Sequence, residues 1–154
     1  MTKELLNLKS DGNTLGISRK AWQDALARAV SDPVVQIRHA EISGNAQSRI
    51  HVAAIPSKVG CHFHAAGDED YVVVSGKGTL YWGKVEQQED GQYKVLQETP
   101  VPVTTGDHFV VPEGYAHQLA KSSDSADDLV ILFRCPDSHL NDTEDRVILP
   151  QLAP

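Results

Sequence analysis

Residues 60–76 read GCHFHAAGDEDYVVVSG and place two imidazoles and a carboxylate at the start of a valine-rich segment. Alternate side chains of a β-strand project to opposite faces, so His62 and His64 share one face. If the chain turns at residues 65–67 and continues as a strand from Glu69, the carboxylate lies beside both histidines. Imidazole nitrogens and carboxylate oxygens bind first-row divalent metals well, so the segment predicts part of a metal site.

A second segment, GDHFVVPEGYAH at residues 106–117, supplies a further imidazole. Its glycines and Pro112 indicate a strand, a tight turn and a second strand that carries His117. His117 is therefore the fourth candidate ligand. Three imidazoles and one carboxylate leave one or two positions on a metal ion for exchangeable ligands.

Together, the two segments resemble the two sequence motifs of the cupin family. The first motif reads G, five residues, H-x-H, three or four residues, E, six residues, G. The second reads G, five residues, P-x-G, two residues, H, three residues, N. This chain departs from each motif once, because Pro56 replaces the opening glycine and Lys121 replaces the closing asparagine. The matching positions are His62, His64, Glu69 and Gly76 in the first motif and Gly106, Pro112, Gly114 and His117 in the second.

The resemblance implies an all-β fold, the double-stranded β-helix or jelly-roll barrel, for residues 34–135. Cupins commonly pair through their sheets, so it also implies a homodimer. Inside the barrel it implies one divalent first-row metal ion, with iron, manganese, nickel, zinc and cobalt not distinguished. The implied ligands are His62, His64, Glu69 and His117.

A short helix is expected before the barrel, in an N-terminal extension of residues 1–33. Apolar residues recur at helical spacing over residues 18–30, with Ser18 as the N-cap and Pro33 as the stop. Trp22 is interpreted as the packing anchor of this helix against the rest of the domain.

The remainder of the chain has the pattern of a β domain. Ten short β-branched or alternating runs lie between residue 34 and residue 135, and Asp90-Gly91 between two of them indicates a hairpin. Residues 136–154 are predicted to form a C-terminal tail, in which only residues 146–149, RVIL, can add an edge strand.

Composition limits the kinds of partner. The 154 residues, 40% of them hydrophobic, are enough for one core without disulfide support. The net charge is -7 and the basic residues are scattered, so a nucleic-acid surface is not expected. No apolar run reaches about 18 residues, and the two cysteines lack CxxC spacing. We therefore expect a soluble cytoplasmic protein that binds a small molecule and neither nucleic acid nor membrane.

Four further polar residues are candidates for the site. Tyr71 shares a face with the acidic ligand candidate and either contacts a substrate, as a catalytic residue, or fills the barrel. Gln118 and Lys121 follow the last histidine closely enough to contact a substrate or a ligand, although exposure is the more common state of a lysine. Arg134 would anchor an anionic substrate only if it points inward, which the sequence leaves open.

The cysteines and the other histidines are interpreted as structural. Cys61 alternates with the histidine pair and points away from it, so a thiolate role is not expected, and Cys135 closes an apolar strand. His108 faces outward if Phe109 and Val111 fill the barrel. The histidines interpreted as ordinary surface or strand residues, and not as ligands, are His39, His51, His108 and His139.

The predicted metal site favours an enzyme. A divalent ion can polarise a carbonyl, acidify a hydroxyl or bind dioxygen if it is redox active. By resemblance, small cupins with the full ligand set include dioxygenases, decarboxylases and sugar isomerases or epimerases. The leading hypothesis is an oxygenase-type enzyme that acts on a small oxygen-rich metabolite. The alternatives are a sugar or sugar-phosphate isomerase or epimerase and a non-catalytic cupin that binds or senses a small molecule.

Overall fold

Twelve strands and one helix make up the part of the chain that the structure, a computed structural model, describes. This part comprises residues 6–13, 15–33, 35–44, 48–64, 67–135 and 146–154. The helix, α1, spans Arg19–Ala27. The strands are Val30–Asp32 (β1), Ile37–Gly44 (β2), Arg49–Ile55 (β3), His62–His64 (β4), Glu69–Ser75 (β5), Lys77–Gln87 (β6), Tyr93–Gln97 (β7), Val101–Thr104 (β8), His108–Val111 (β9), Tyr115–Lys121 (β10), Leu129–Cys135 (β11) and Arg146–Ile148 (β12).

Within the described residues, the strands form two curled antiparallel sheets. The first sheet has the order β1-β2-β3-β11-β5-β9, and the second has the order β12-β4-β10-β6-β7 with β8 paired to β6. Strands that are distant in the chain, such as β3 and β11, pair over seven residues. The fold is the predicted all-β double-stranded β-helix.

The main core lies between the two sheets. Alternation sends every second side chain of a strand inward, which buries Phe109 and Val111 of β9 and Trp82 of β6. Burying a side chain of this size stabilises the fold by about 1.5–3 kcal/mol. His108, which precedes Phe109 in β9, lies on the other face near Asp70, so its predicted outward orientation is confirmed.

Helix α1 packs on the outer face of the first sheet. Ser18 caps it by accepting a hydrogen bond of 3.1 Å from the backbone N–H three residues on, and Trp22 and Ala25 are buried against the sheet, as predicted for the anchor. The helix was expected to reach residue 30 but ends at Ala27, because Val30 begins strand β1. Of the described helices, none is both long and apolar enough to cross a membrane.

Residues on both sides of the predicted barrel join the two sheets. Leu6 is fully buried in the main core, and Lys9 forms a bridge with His108. At the other end of the chain, β12 pairs with β4 at the edge of the second sheet, which confirms the predicted edge strand. The Asp90-Gly91 hairpin is also confirmed, since it connects β6 to β7.

Candidate metal centre

All four predicted ligands meet between the sheets. Strands β4 and β10 pair in the second sheet with His62 directly opposite His117, and alternation places His64 on the same inner face. Glu69 is the first residue of β5 and comes from the first sheet. Each of the four is buried, and their ligand atoms lie within 4.8 Å of one another. This group can hold a metal ion.

Hydrogen bonds between two turns fix the ends of the ligand-bearing strands. The backbone N–H of Gly114 donates to the His64 carbonyl at 3.0 Å. The N–H of Gly67 donates to the Glu113 carboxylate, and the N–H of Glu113 donates to the Asp68 carboxylate, each at 2.9 Å. Gly114 has a φ of 78°, a left-handed conformation that favours glycine. Sequence reasoning missed the roles of Asp68 and Glu113. The presence of an acidic side chain within the turn of each motif could have indicated them.

Two of the imidazoles have a defined tautomer. His62 Nδ1 lies 2.8 Å from the Gly60 carbonyl, and His117 Nδ1 lies 3.2 Å from the Tyr115 carbonyl. A carbonyl only accepts, so each Nδ1 carries the proton and each Nε2 carries a lone pair. Burial, followed by the charges of His117 and His64, lowers the pKa of His62 well below its ordinary value. The His62 ring is therefore a neutral nitrogen donor.

The donor chemistry fits a divalent cation. Glu69 Oε1 lies 3.3 Å from His64 Nε2 and 3.2 Å from His117 Nε2. The lone pair of His117 thus faces a carboxylate oxygen, an arrangement that a positive charge between them stabilises. Two donors about 2.1 Å from one ion and at right angles are about 3.0 Å apart, close to these separations. The four side chains suit a shared metal ion.

Tyr71 joins the cluster from the next inward position of β5. Its hydroxyl donates to Glu69 Oε1 at 3.1 Å and lies 3.1 Å from His117 Nε2. The ring stacks on Phe109 at 5.1 Å. Burial, and then the Glu69 carboxylate, raise the pKa of Tyr71 well above its ordinary value. The phenol hydroxyl thus lies beside two of the candidate ligand atoms, and its catalytic role stays a prediction.

The cluster forms part of the wall of a cavity of about 60 Å³. At about 15 Å³ for each water-sized group, this volume accommodates roughly four such groups, so it encloses a small molecule or the reacting end of a larger one. Most of the remaining wall is apolar and restricts water. The apolar lining residues are Val35, Ile37, Ile55, Val59, Leu119, Ile131 and Phe133.

Gln118 does not contact the cluster, because it points to the opposite face of β10. It is fully buried, its Nε2 donates to the Val59 carbonyl at 2.8 Å, and its Oε1 accepts from the N–H groups of Leu152 and Ala153, each at 2.9 Å. The side chain therefore holds the C-terminal segment against the barrel.

Replacing Gln118 with leucine is expected to lower the free energy of unfolding by about 2–4 kcal/mol, because backbone groups around it lose their partner. Urea unfolding measures this change. Gln87→Leu is the matched control, since Gln87 is exposed, and its loss is expected to stay within about 0.5 kcal/mol. Equal losses in the two variants would contradict the buried role of Gln118.

The two cationic candidates lie elsewhere. Lys121 donates to the carbonyls of Ser122 and Ser125. Arg134 is exposed on the outer face of the first sheet, where it forms an ion pair with Asp70. Among the described residues, neither lysine nor arginine lines the metal cavity. The sequence left the orientation of Arg134 open, and in the structure this side chain points outward.

Two histidines interpreted as ordinary surface or strand residues face the interior. His39 lines the cavity, and His51 is only 6% exposed, with its ring stacked on Phe133 at 5.4 Å. Both are strand residues, in β2 and β3, but neither side chain faces outward, because the alternation that turns Ile37 inward in β2 also turns His39 inward, and β3 continues the same face. The spacing of two residues between Ile37 and His39 could have indicated the inward orientation of His39 from the sequence. His139 lies outside the described residues.

The two cysteines occupy different clusters. Cys61 packs with Phe63 on the outer face of the second sheet, away from the histidines, as the alternation predicted. Burial raises the pKa of Cys61 to about 11, so the thiol stays protonated at neutral pH. Cys135 lies in the core between the sheets, and the two do not form a disulfide.

His51 gives the fold a pH dependence. Burial, and then the charge of His39, lower the pKa of His51 to about 4. The unfolded chain, with an ordinary pKa of about 6.5, takes up this proton first, so stability is full above that pH and is lost as pH falls toward 4. In metal-free protein, His51→Phe is expected to reduce the loss of unfolding free energy between about pH 7 and about pH 4.5.

Urea unfolding at the two pH values measures the effect of His51→Phe. The control is His108→Phe, which removes a histidine from the outer face and is expected to keep the wild-type loss. If the unfolding free energy of His51→Phe fell as much as that of wild type between the two pH values, folded His51 would take up its proton as readily as the unfolded chain does.

Comparison with known protein families identifies the chain. The family model described as the polysaccharide biosynthesis C-terminal domain matches residues 35–147, more than two thirds of the sequence. The chain belongs to this family. The match covers both ligand-bearing motifs of the chain. No curated protein matches the chain.

Solved structures similar to this chain include cupins and other double-stranded β-helix proteins. A Klebsiella pneumoniae protein with a double-stranded β-helix domain superposes with a TM-score of 0.58 at 12% identity, over 82% of this chain and 95% of that one. Pac13 of Streptomyces, a nucleoside dehydratase, superposes with a TM-score of 0.58 at 12% identity, over 83% of this chain and 90% of Pac13. CapF of Staphylococcus aureus, a capsular polysaccharide assembling protein, superposes with a TM-score of 0.59 at 20% identity, over 80% of this chain and 31% of CapF. These likenesses show the shared fold.

Proposed function

We propose that this protein is a metal-dependent enzyme acting on a sugar-type, polyhydroxylated carbonyl compound. The observation that carries the proposal is the meeting of three imidazoles, a carboxylate and a phenol hydroxyl inside an apolar cavity. The family description and the printed function of CapF both concern polysaccharides. They favour the isomerase or epimerase alternative over the oxygenase hypothesis.

Each group has a definite task in this proposal. The four-residue cluster would hold the metal ion, which when bound would supply a Lewis acid for a substrate carbonyl or hydroxyl. The Tyr71 hydroxyl is within hydrogen-bond distance of two ligand atoms, so it can donate to a substrate oxygen bound at the same point. The apolar walls exclude water from the reacting end. Iron, manganese, nickel, zinc and cobalt all accept this donor set.

Deuterium exchange with a panel of compounds tests the proposal, so the natural substrate need not be identified first. Metal-loaded protein is incubated in D2O with aldoses, ketoses and their phosphates, and proton NMR follows the hydrogen on the carbon next to the carbonyl. We expect exchange of this hydrogen for at least one compound, and no exchange with His117→Ala. Absence of exchange across the panel would contradict sugar isomerase or epimerase chemistry.

The competing functions give different outcomes in the same samples. Oxygen uptake with iron-loaded protein and no exchange would favour the oxygenase. Tight binding of a compound that is neither exchanged nor consumed would favour the non-catalytic cupin.

The expected homodimer is also a proposal. Light scattering tests it, and a solution mass of twice 16.8 kDa is expected. A cytoplasmic location, a small-molecule partner and the lack of nucleic-acid or membrane partners stay predictions.

A further inference from the structure

A second polar group lies in the wall of the metal cavity. Asp32 and His39 line the cavity and are not among the four candidate donors. Their side chains are 21% and 23% exposed, whereas those of His64, Glu69 and His117 are 4–5% exposed. The cavity therefore has a buried metal end and a partly exposed Asp32–His39 end.

The β1–β2 hairpin holds this pair. Asp32, the last residue of β1, pairs with Ile37 of β2, and His39 lies two residues further along β2. Such diagonal neighbours on adjacent strands are within reach of long side chains. The Gln36 N–H also donates to the Asp32 carbonyl at 2.8 Å and closes the turn. The two side chains are thus presented to the cavity by regular strand pairing.

The spacing of the pair suits a hydroxyl group. Asp32 Oδ2 and His39 Nε2 are 4.0 Å apart, too far for a direct hydrogen bond. One oxygen atom can lie about 2.8 Å from both, donating to the carboxylate while it accepts from the imidazole N–H. An anionic group such as a phosphate would be repelled by Asp32. The pair is therefore complementary to a neutral hydroxyl.

The ring of His51 packs beside His39 of this pair. Its ring lies 5.6 Å from that of His39 and stacks on Phe133. Because burial lowers the pKa of His51 to about 4, this ring adds no positive charge beside His39 at neutral pH.

The geometry points to Asp32 and His39 as specificity-determining residues that bind a substrate hydroxyl several bonds away from the oxygens held at the metal end. This inference rests on the proposed function. It narrows the substrate class to molecules with chelating oxygens at one end and a neutral hydroxyl-bearing chain at the other. Between the two ends, apolar side chains such as Ile131 contact the carbon skeleton.

Two four-carbon acids provide the test. Erythronate and 2-hydroxybutyrate share a carboxylate and an adjacent hydroxyl, and only erythronate carries hydroxyls on its last two carbons. The visible absorption of Co²⁺-loaded protein reports binding of either acid at the metal. Wild type is expected to bind erythronate about tenfold more tightly, the effect of about one well-placed hydrogen bond.

The variants His39→Leu and Asp32→Ala are expected to lose this preference, with erythronate no more than about twofold tighter than 2-hydroxybutyrate, at unchanged metal content. Either variant alone suffices if the other fails to fold. The matched control is His108→Leu, because His108 faces Asp70 at 3.9 Å on the outer face of the same sheet. It is expected to keep the full preference.

The outcomes separate this inference from the function on which it rests. Equal binding of the two acids by wild type, or a full preference in both cavity variants, would overturn the role of Asp32 and His39 alone. Binding of neither acid by the Co²⁺-loaded wild type, or no uptake of Co²⁺, would overturn the proposed metal-dependent function together with this inference.

Discussion

Replacing Glu69 or His62 with alanine is expected to remove the bound metal while leaving the barrel folded. Loss of a group that merely orients a ligand costs about 10–100-fold in metal affinity, so loss of a direct donor is expected to cost more than about 100-fold. The barrel persists because its core, around Trp82 and Phe109, is apolar and fully buried. Elemental analysis after dialysis measures the metal, and circular dichroism measures the fold.

The control for these two variants is His108→Ala, which removes an imidazole from the outer face and is expected to keep one metal per chain. Retention of one metal per chain in both His62→Ala and Glu69→Ala would reject the four-residue ligand set. Loss of metal in the control as well would show that the ion binds elsewhere.

Tyr71→Phe is expected to lower the rate of deuterium exchange by roughly 10²–10⁴-fold, the usual contribution of a group that donates or accepts a proton in the reaction. The substitution removes only the hydroxyl, so stacking on Phe109 and the content of metal are expected to stay as in wild type. NMR exchange rates and elemental analysis of the same sample measure both quantities.

A suitable control for Tyr71→Phe is Tyr93→Phe, since Tyr93 is 42% exposed and packs on Phe63 outside the cavity. An unchanged exchange rate in Tyr71→Phe would assign Tyr71 to barrel filling. A loss of metal that accounts for the whole loss of rate would show that the hydroxyl acts only on the ligands.

Much of the fold could be predicted because the sequence pattern of a strand is local. Residues 49–55 and 129–135 are two of the β-branched or apolar runs, and they form β3 and β11. The end of α1 was harder to predict. The helical spacing continues to Val30, but pairing of Val30 with His39 in the first sheet overrides it.

The candidate ligands could also be found from sequence, since two motifs carry them at fixed spacing. The positions of the residues around these ligands could not all be predicted from sequence. Gln118 follows His117 directly yet points to the opposite face and binds the C-terminal segment. His39 lies far from either motif in the chain and still lines the cavity, because β2 belongs to the same sheet as β5.

The sequence by itself determined the β class, the four donor side chains and which neighbours share a face of a strand, because side-chain alternation is a property of the local backbone. Only the tertiary structure decided which face is inward and which strands oppose each other. His62 and His117 meet through strand pairing, while Glu69 reaches them from the facing sheet. These contacts depend on pairing between distant segments, and no local pattern encodes that pairing.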